Sequence, residues 1–119
     1  MESKSAESDV VRKIFAAYES KDRKSIEDLL TDDFTFSSPL DDHIDRATYF
    51  ERCWPNSEKI KAFTIEKFFR QGDEVFVRYV SELYNGALLR NTEFFRVKGG
   101  KIAEVDVYFG RTLRAASQK

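Results

Sequence analysis

Two stretches of the chain carry residue types that could do chemistry. The first is "FSSPLDDHIDR", Phe36 to Arg46, where the single histidine, His43, stands among Asp41, Asp42 and Asp45. An aspartate beside a histidine could form an acid–base pair, and His43 with Asp41 is a candidate for ligand contact. A metal site would need a third or fourth ligand at defined geometry. The sequence has no second histidine, no HxxxH and no CxxC, so neither a metal nor another cofactor is expected. The competing reading is a polar loop in which Asp45 caps the helix that follows.

The second stretch is "LLRNTEFFRVK", with Glu93 at its centre. A carboxyl in an apolar cavity is desolvated, which raises its pKa. It could then donate a hydrogen bond to a developing oxyanion, or act as a general acid or base near neutral pH. On a solvated face the same residue would simply pair with an arginine. Two phenols are candidates to support it. Tyr18 lies one helical turn after Ile14 on the same face, and Tyr79 is near Glu93 if their strands pair. Cys53 and Trp54 sit side by side. A nucleophilic thiol needs a partner that lowers its pKa, so Cys53 reads as structural. Trp54 reads as part of a cavity floor or lid, its indole N–H a polar handle. No Ser-His-Asp order, phosphate loop or dinucleotide fingerprint occurs.

The elements that would position these groups follow from hydrophobic spacing. In "SDVVRKIFAAYESKD" the residues Val10, Val11, Ile14, Phe15 and Tyr18 form one helical stripe, with Ser8 or Asp9 as its cap. "DRKSIEDLL" gives a second short helix capped by Asp22. "DDFTFSSP" alternates and stops at Pro39, a short strand. "DRATYFERCW" returns to helical spacing from the cap Asp45 and ends before Pro55. Four strand-like runs follow, "AFTIEKFFRQ", "EVFVRYVSELY", "LLRNTEFFRVK" and "KIAEVDVYFG", separated by "QGD", "NGA" and "GG". Helices first and an antiparallel run afterwards make an α+β domain.

Strand parity then chooses a face. In the last three strands the odd-numbered residues are mostly apolar, whereas the even ones include Arg78, Glu82, Thr92, Arg96, Glu104 and Asp106. The odd face is expected inward, with Glu93 its only charge. If "NGA" and "KGG" are three-residue loops, odd pairs with odd and Tyr79 stands opposite Glu93. If Asn85-Gly86 and Gly99-Gly100 are two-residue turns, Glu93 lies between Arg78 and Asp106 in an ion-pair lattice. The first register gives the cleaner apolar face.

Bulk properties narrow the function classes. The 119 residues are 41% hydrophobic and 14% aromatic, with eleven Phe, enough for one core and too apolar for disorder. A net charge of −1 with interspersed signs offers no nucleic-acid footprint. No apolar run is long enough to span a membrane. The polar start "MESKSAESD" is unlike a signal peptide, and a lone cysteine fits a reducing, cytoplasmic setting.

The order of elements, with "DDFTFSSP" after two helices and "TEFFRVKGGKIAEVDVYFG" near the end, resembles the nuclear transport factor 2-like superfamily. The nearest resemblance is to SnoaL-like polyketide cyclases and ketosteroid isomerases, over about residues 8–110, with polar tails at 1–7 and 111–119. The resemblance implies a cone in which a curved sheet wraps around three helices, an apolar cavity, and a homodimer through the outer sheet face, where Phe76, Val80, Phe94 and Tyr108 would sit. A gapless match to the ketosteroid isomerases implies that Ile14 stands where that family has its oxyanion-binding tyrosine. Ser38 stands where it has its general-base aspartate, and Glu93 where it has its protonated aspartic acid. A serine cannot abstract a proton as a carboxylate does, so this chain departs from steroid isomerisation.

The expected function is binding of a small, largely apolar molecule, with cofactor-free isomerase- or cyclase-type chemistry next to a carbonyl as the enzymatic form. Glu93 would be the acid or hydrogen-bond donor, supported by Tyr18. The expected pocket comprises Ile14, Ser38, His43, Trp54, Val77, Tyr79, Asn91, Phe95, Val105, Val107 and Phe109. The alternatives are a non-catalytic dimeric interaction module and an epoxide-hydrolase-like enzyme. The last would need a second acid and an arginine inside the cavity.

Overall fold

The computed structural model describes residues 6–117. Helix α1, Ala6–Ser20, buries Val10, Val11, Ile14, Phe15 and Ala17 along one face. It begins before the caps expected at Ser8 or Asp9. Glu7 and Asp9 instead lie in the first turn, where negative charge suits the helix dipole. α1 ends in a Schellman motif. Lys21 takes a left-handed φ of 60°, its N–H bonds the Tyr18 carbonyl, and the Asp22 N–H bonds the Ala17 carbonyl. The position usually favours glycine. Here the lysine side chain holds it by donating to the Tyr18 and Ile60 carbonyls. Asp22 at once caps α2, Arg23–Leu29, accepting from the Ser25 N–H. This double use of two residues fixes the C-terminal turn of α1, and Tyr18 with it.

Strand β1 runs Leu30–Ser38, and β2, Asp41–Asp45, folds back against it. The polar-loop reading of "DDHID" is therefore corrected. These residues pair with β1 because only Pro39 and Leu40 intervene, and the turn returns the chain along its neighbour. Asp45 does cap α3, Arg46–Arg52, accepting from the Thr48 N–H. α3 is shorter than its spacing suggested. Cys53 ends it, and Trp54 begins a 3-10 helix, Trp54–Lys59, with Pro55 at its start, where a missing N–H costs nothing. Strands β3, Ile60–Gln71, β4, Glu74–Leu83, β5, Leu88–Lys98, and β6, Lys101–Arg114, complete the chain. Residues 111–114, expected in a polar tail, continue β6.

The six strands form one mixed sheet in the order β2-β1-β6-β5-β4-β3, parallel only between β1 and β6. The curved sheet wraps around the helices. Phe15 of α1 sits edge-on to Phe63, Tyr79 and Phe95, with ring centres 5.0–5.9 Å apart. Burying each such side chain contributes about 1.5–3 kcal/mol, so this cluster binds α1 to three strands. Among the described residues no helix is long and apolar enough to cross a membrane.

The register decides which way Glu93 points, and it combines both expectations. Between β4 and β5 the loop is Tyr84-Asn85-Gly86, closed by the Leu83 N–H on the Ala87 carbonyl. It has three residues, as "NGA" would, but starts one position earlier. Odd still pairs with odd, yet Val77 faces Glu93 and Tyr79 faces Asn91. Between β5 and β6 the turn is the two-residue Gly99-Gly100, since Lys98 pairs with Lys101. That turn alone would have paired odd with even. An irregularity between Arg96 and Val97 restores odd-to-odd pairing, so Glu93 meets Val107. The extra residue is Ala103, and Ile102 rather than Ala103 is fully buried. A bulge inserts one residue and flips every side chain beyond it.

Candidate functional site

The inward face of β4, β5 and β6 meets α1 and the 3-10 helix around a cavity of about 340 Å³. Its deep wall carries Glu93, Tyr79, Asn91 and Tyr18. Ile14, Phe63 and Val107 supply apolar surface. Ser38, Leu40, Asp41, Lys59 and Phe109 also line it.

Tyr79 Oη donates to Glu93 Oε1 at 2.6 Å. The two residues are diagonal neighbours across adjacent strands, within reach of a long aromatic side chain. Desolvation pushes the Glu93 carboxyl up to about 7, against the opposing pull of the Tyr79 hydrogen bond. Glu93 keeps some accessible surface, and that surface is the cavity wall. Burial, and then the neighbouring Glu93, raise Tyr79 and Tyr18 well above the usual phenol value. Both phenols are therefore neutral donors near neutral pH. Among the described residues, Glu93 Oε2 and Tyr18 Oη have no hydrogen-bond partner, and Arg46 Nε is the one buried side-chain polar atom without one. Glu93 Oε2 and Tyr18 Oη thus open to the cavity. A ligand oxygen placed there would meet a carboxyl that titrates near neutral pH and a phenol.

Other lining groups are held differently. Asp41 pairs with Arg52 at 2.7 Å, and the Ser38 hydroxyl accepts from the Leu40 N–H. Burial and nearby Asp41 push the Cys53 thiol up to about 11, which leaves it protonated and unreactive. Among the described residues no group of three or more His, Cys, Asp or Glu is arranged to hold a metal.

The structure brings together Tyr18, Glu93, Ile14, Ser38, Tyr79, Asn91, Val107 and Phe109 around one cavity. It does not bring the remaining pocket expectations there. Val77 and Phe95 are fully buried and Val105 nearly so, packed within the hydrophobic core and not in the cavity lining. Trp54 backs Tyr18 with ring centres 5.1 Å apart and does not line the cavity. His43 is exposed, with a left-handed φ of 50°. Its ring meets Asp42 Oδ1 at 2.6 Å, which raises its pKa, Glu104 and Asp106 adding a little. It pairs with Asp42 rather than Asp41 and stands outside the cavity. Sequence reasoning missed Phe63, Leu40 and Lys59, among others, as lining residues, whereas Asp41, expected with His43 as a ligand contact, does line the cavity. Phe63 had a signal in the alternation of "AFTIEKFF". Leu40 lies in the turn between β1 and β2, and Lys59 ends the 3-10 helix, and neither position has a periodicity that shows its direction.

On the opposite face of the sheet, Arg78 and Arg90 both bond Glu66, at 3.1 and 2.8 Å. Arg78 is thus committed elsewhere, and Asp106 accepts from Tyr108. The lattice of Arg78, Glu93 and Asp106 does not form.

The family model of the SnoaL-like domain matches residues 11–105. The chain belongs to the SnoaL-like domain family. Solved structures agree on the fold. An NTF2-like protein of unknown function from Cytophaga hutchinsonii is 24% identical, with a TM-score of 0.72 over 92% of this chain and 95% of that one. An LEH-like epoxide hydrolase from Mycobacterium tuberculosis is 15% identical, with a TM-score of 0.72 over 88% of this chain and 83% of that one. A de novo designed protein with a curved β-sheet is 16% identical, with a TM-score of 0.78 over 92% of this chain and 88% of that one. That a design shares the scaffold shows how little the fold says about chemistry. No curated protein gives a significant match. What this SnoaL-like domain does must be argued from its cavity.

Proposed function

We propose that the protein binds a small, largely apolar molecule carrying one acceptor oxygen, such as a cyclic ketone, and assists proton transfer next to that carbonyl without a cofactor. The observation that carries the reading is the cavity of about 340 Å³ with Glu93, pushed up to about 7, in its wall. An acid that titrates near neutral pH can both give and take a proton. A carbonyl oxygen seated between Glu93 Oε2 and Tyr18 Oη would gain negative charge as a solvent water takes the proton of a neighbouring C–H. The protonated Glu93 gives its proton to that oxygen and is reprotonated from the same water. Two neutral donors aimed at the oxygen stabilise that charge.

The interaction-module reading would have required a filled cavity and Glu93 tied to Arg78. The open cavity and the bonding of Arg78 to Glu66 weigh against it as the sole role. A dimer is compatible with ligand binding. Phe69 and Phe76 are exposed on the outer face, in register with each other and with Phe94 across neighbouring strands, and a second copy would cover them. The epoxide-hydrolase reading has Asp41 in the lining, but its partner Arg52 does not line the cavity and is half-exposed.

The test is a panel of cyclic ketones, from cyclohexanone to tetralone, followed by NMR in deuterated buffer. Binding should shift the Tyr18 and Glu93 signals, and deuterium should enter the carbon beside the carbonyl faster than in buffer alone. Glu93→Gln should abolish the exchange. No perturbation of these signals by any member would sink the reading.

A further inference from the structure

Asn91 stands directly across from Tyr79 on the neighbouring strand. Its Oδ1 accepts a hydrogen bond from the Gly110 N–H at 3.2 Å. A backbone N–H can only donate, so this contact fixes which way round the amide lies. The NH2 end is left toward Tyr79, where it eases negative charge on the phenol oxygen. An NH2 group offers hydrogens and accepts none. Directly opposed to it across the strands, the Tyr79 oxygen can only be an acceptor toward that group, and its own hydrogen is directed to Glu93 Oε1. Once Oε1 is an acceptor, a protonated Glu93 carries its hydrogen on Oε2, the oxygen open to the cavity.

The anchor is built into the backbone. Pairing of β5 with β6 is irregular between Leu89 and Asn91. A Cβ on Gly110 would lie 2.2 Å from the Arg90 carbonyl oxygen, so only glycine lets the strands come this close. We propose that Asn91, anchored by the Gly110 N–H, is a positioning residue that sets the direction of the hydrogen bonds through Tyr79 and so turns the acidic hydrogen of Glu93 into the cavity. This rests on the reading of Glu93 as the cavity acid and sharpens it. The cavity then presents donors, from Glu93 and Tyr18, and selects a ligand atom that only accepts, a carbonyl oxygen over a donor such as an ammonium group.

The test needs no ligand. The Glu93 carboxyl carbon is titrated by NMR in four proteins: wild type, Asn91→Leu, Tyr79→Phe and the double variant. Without Asn91, Tyr79 is free to turn and accept from Glu93, which favours the protonated acid. Asn91→Leu should therefore raise the midpoint by roughly half a pH unit, in the direction of Tyr79→Phe. In the Tyr79→Phe background, Asn91→Leu should add nothing, because its effect runs through the missing hydroxyl. A midpoint that does not move in Asn91→Leu, or moves equally in both backgrounds, overturns the proposal. Asn91→Ser at the same site guards against loss of folding and should also raise the midpoint. A wild-type midpoint in the ordinary carboxylate range would instead remove the cavity-acid reading, a separable result.

Discussion

Two glutamates on one sheet meet opposite fates. Glu66, on the outer face, accepts from Arg90 and Arg78. The Arg90 hydrogen bond, outweighing modest desolvation, holds its carboxyl below the usual value. Glu93, on the inner face, accepts from a single neutral phenol, and desolvation lifts it to about 7. Both are hydrogen-bonded glutamates on strands of the same sheet. What differs is whether the partner brings charge and whether water reaches the pair. A cation beside a wet carboxylate makes a stable anion, and a phenol beside a dry one makes an acid that titrates near neutrality. The pleat performs this sorting, because neighbouring residues of a strand face opposite ways.

The contrast between faces can be broken most heavily at adjacent residues. Phe95 is fully buried and Phe94 is not. Phe95→Ala should cost about 3–5 kcal/mol in urea unfolding. Phe94→Ala should cost about 1 kcal/mol or less. A cost for Phe94→Ala that grows with protein concentration would show that a second copy covers the outer face.

Next in size is the pH dependence that Glu93 imposes. Its folded value lies above its ordinary one of 4.5, so between those values the native state holds a proton that the unfolded chain has lost. Stability is therefore full below pH 4.5 and falls as pH rises toward about 7. The whole change is about 3 kcal/mol at most. Glu93→Gln should flatten this window and leave the variant more stable than wild type at pH 8, as measured by thermal or urea unfolding across pH. An unchanged profile would mean that Glu93 is not the desolvated acid.

Tyr79→Phe should act more gently. It removes the one hydrogen bond that draws the Glu93 pKa down, so the Glu93 midpoint should rise above about 7, read by carboxyl-carbon NMR. The smallest effect belongs to Glu66→Gln. It should weaken stability slightly, fade at high salt as exposed ion pairs do, and leave the Glu93 midpoint unmoved. A shift at Glu93 would mean that the two faces communicate.

Much of the architecture was legible because it rests on spacing. The stripe Val10, Val11, Ile14, Phe15 specified α1, and Asp22 and Asp45 marked their helices by side-chain chemistry that needs nothing distant. The inward face followed from the parity of Val75, Val77 and Tyr79. What spacing could not supply was where each turn begins and whether a bulge follows it. Gly99-Gly100 is a tight turn, yet the bulge at Ala103 undoes its consequence, and no local pattern announces a bulge. Between β4 and β5 the three-residue loop begins at Tyr84 rather than Asn85, so the partner of Glu93 was misplaced by one pair, and the hydroxyl of Tyr79 reached it along the diagonal. The pocket was read partly too deep for a similar reason. Parity tells which face Val77, Phe95 and Val105 occupy, but not where along the strand helix α1 fills the cone. His43 looked reactive by composition. A strand pairing and a left-handed backbone at His43 put its ring on Asp42, outside the cavity.

The most direct measurement is the titration midpoint of the Glu93 carboxyl carbon, with Glu93→Gln identifying the signal. A midpoint near 7 is expected of a desolvated acid bonded by one phenol. A midpoint at or below its ordinary value of 4.5 would contradict it. It would make Glu93 a solvated carboxylate like Glu66, and the cavity a space without an acid.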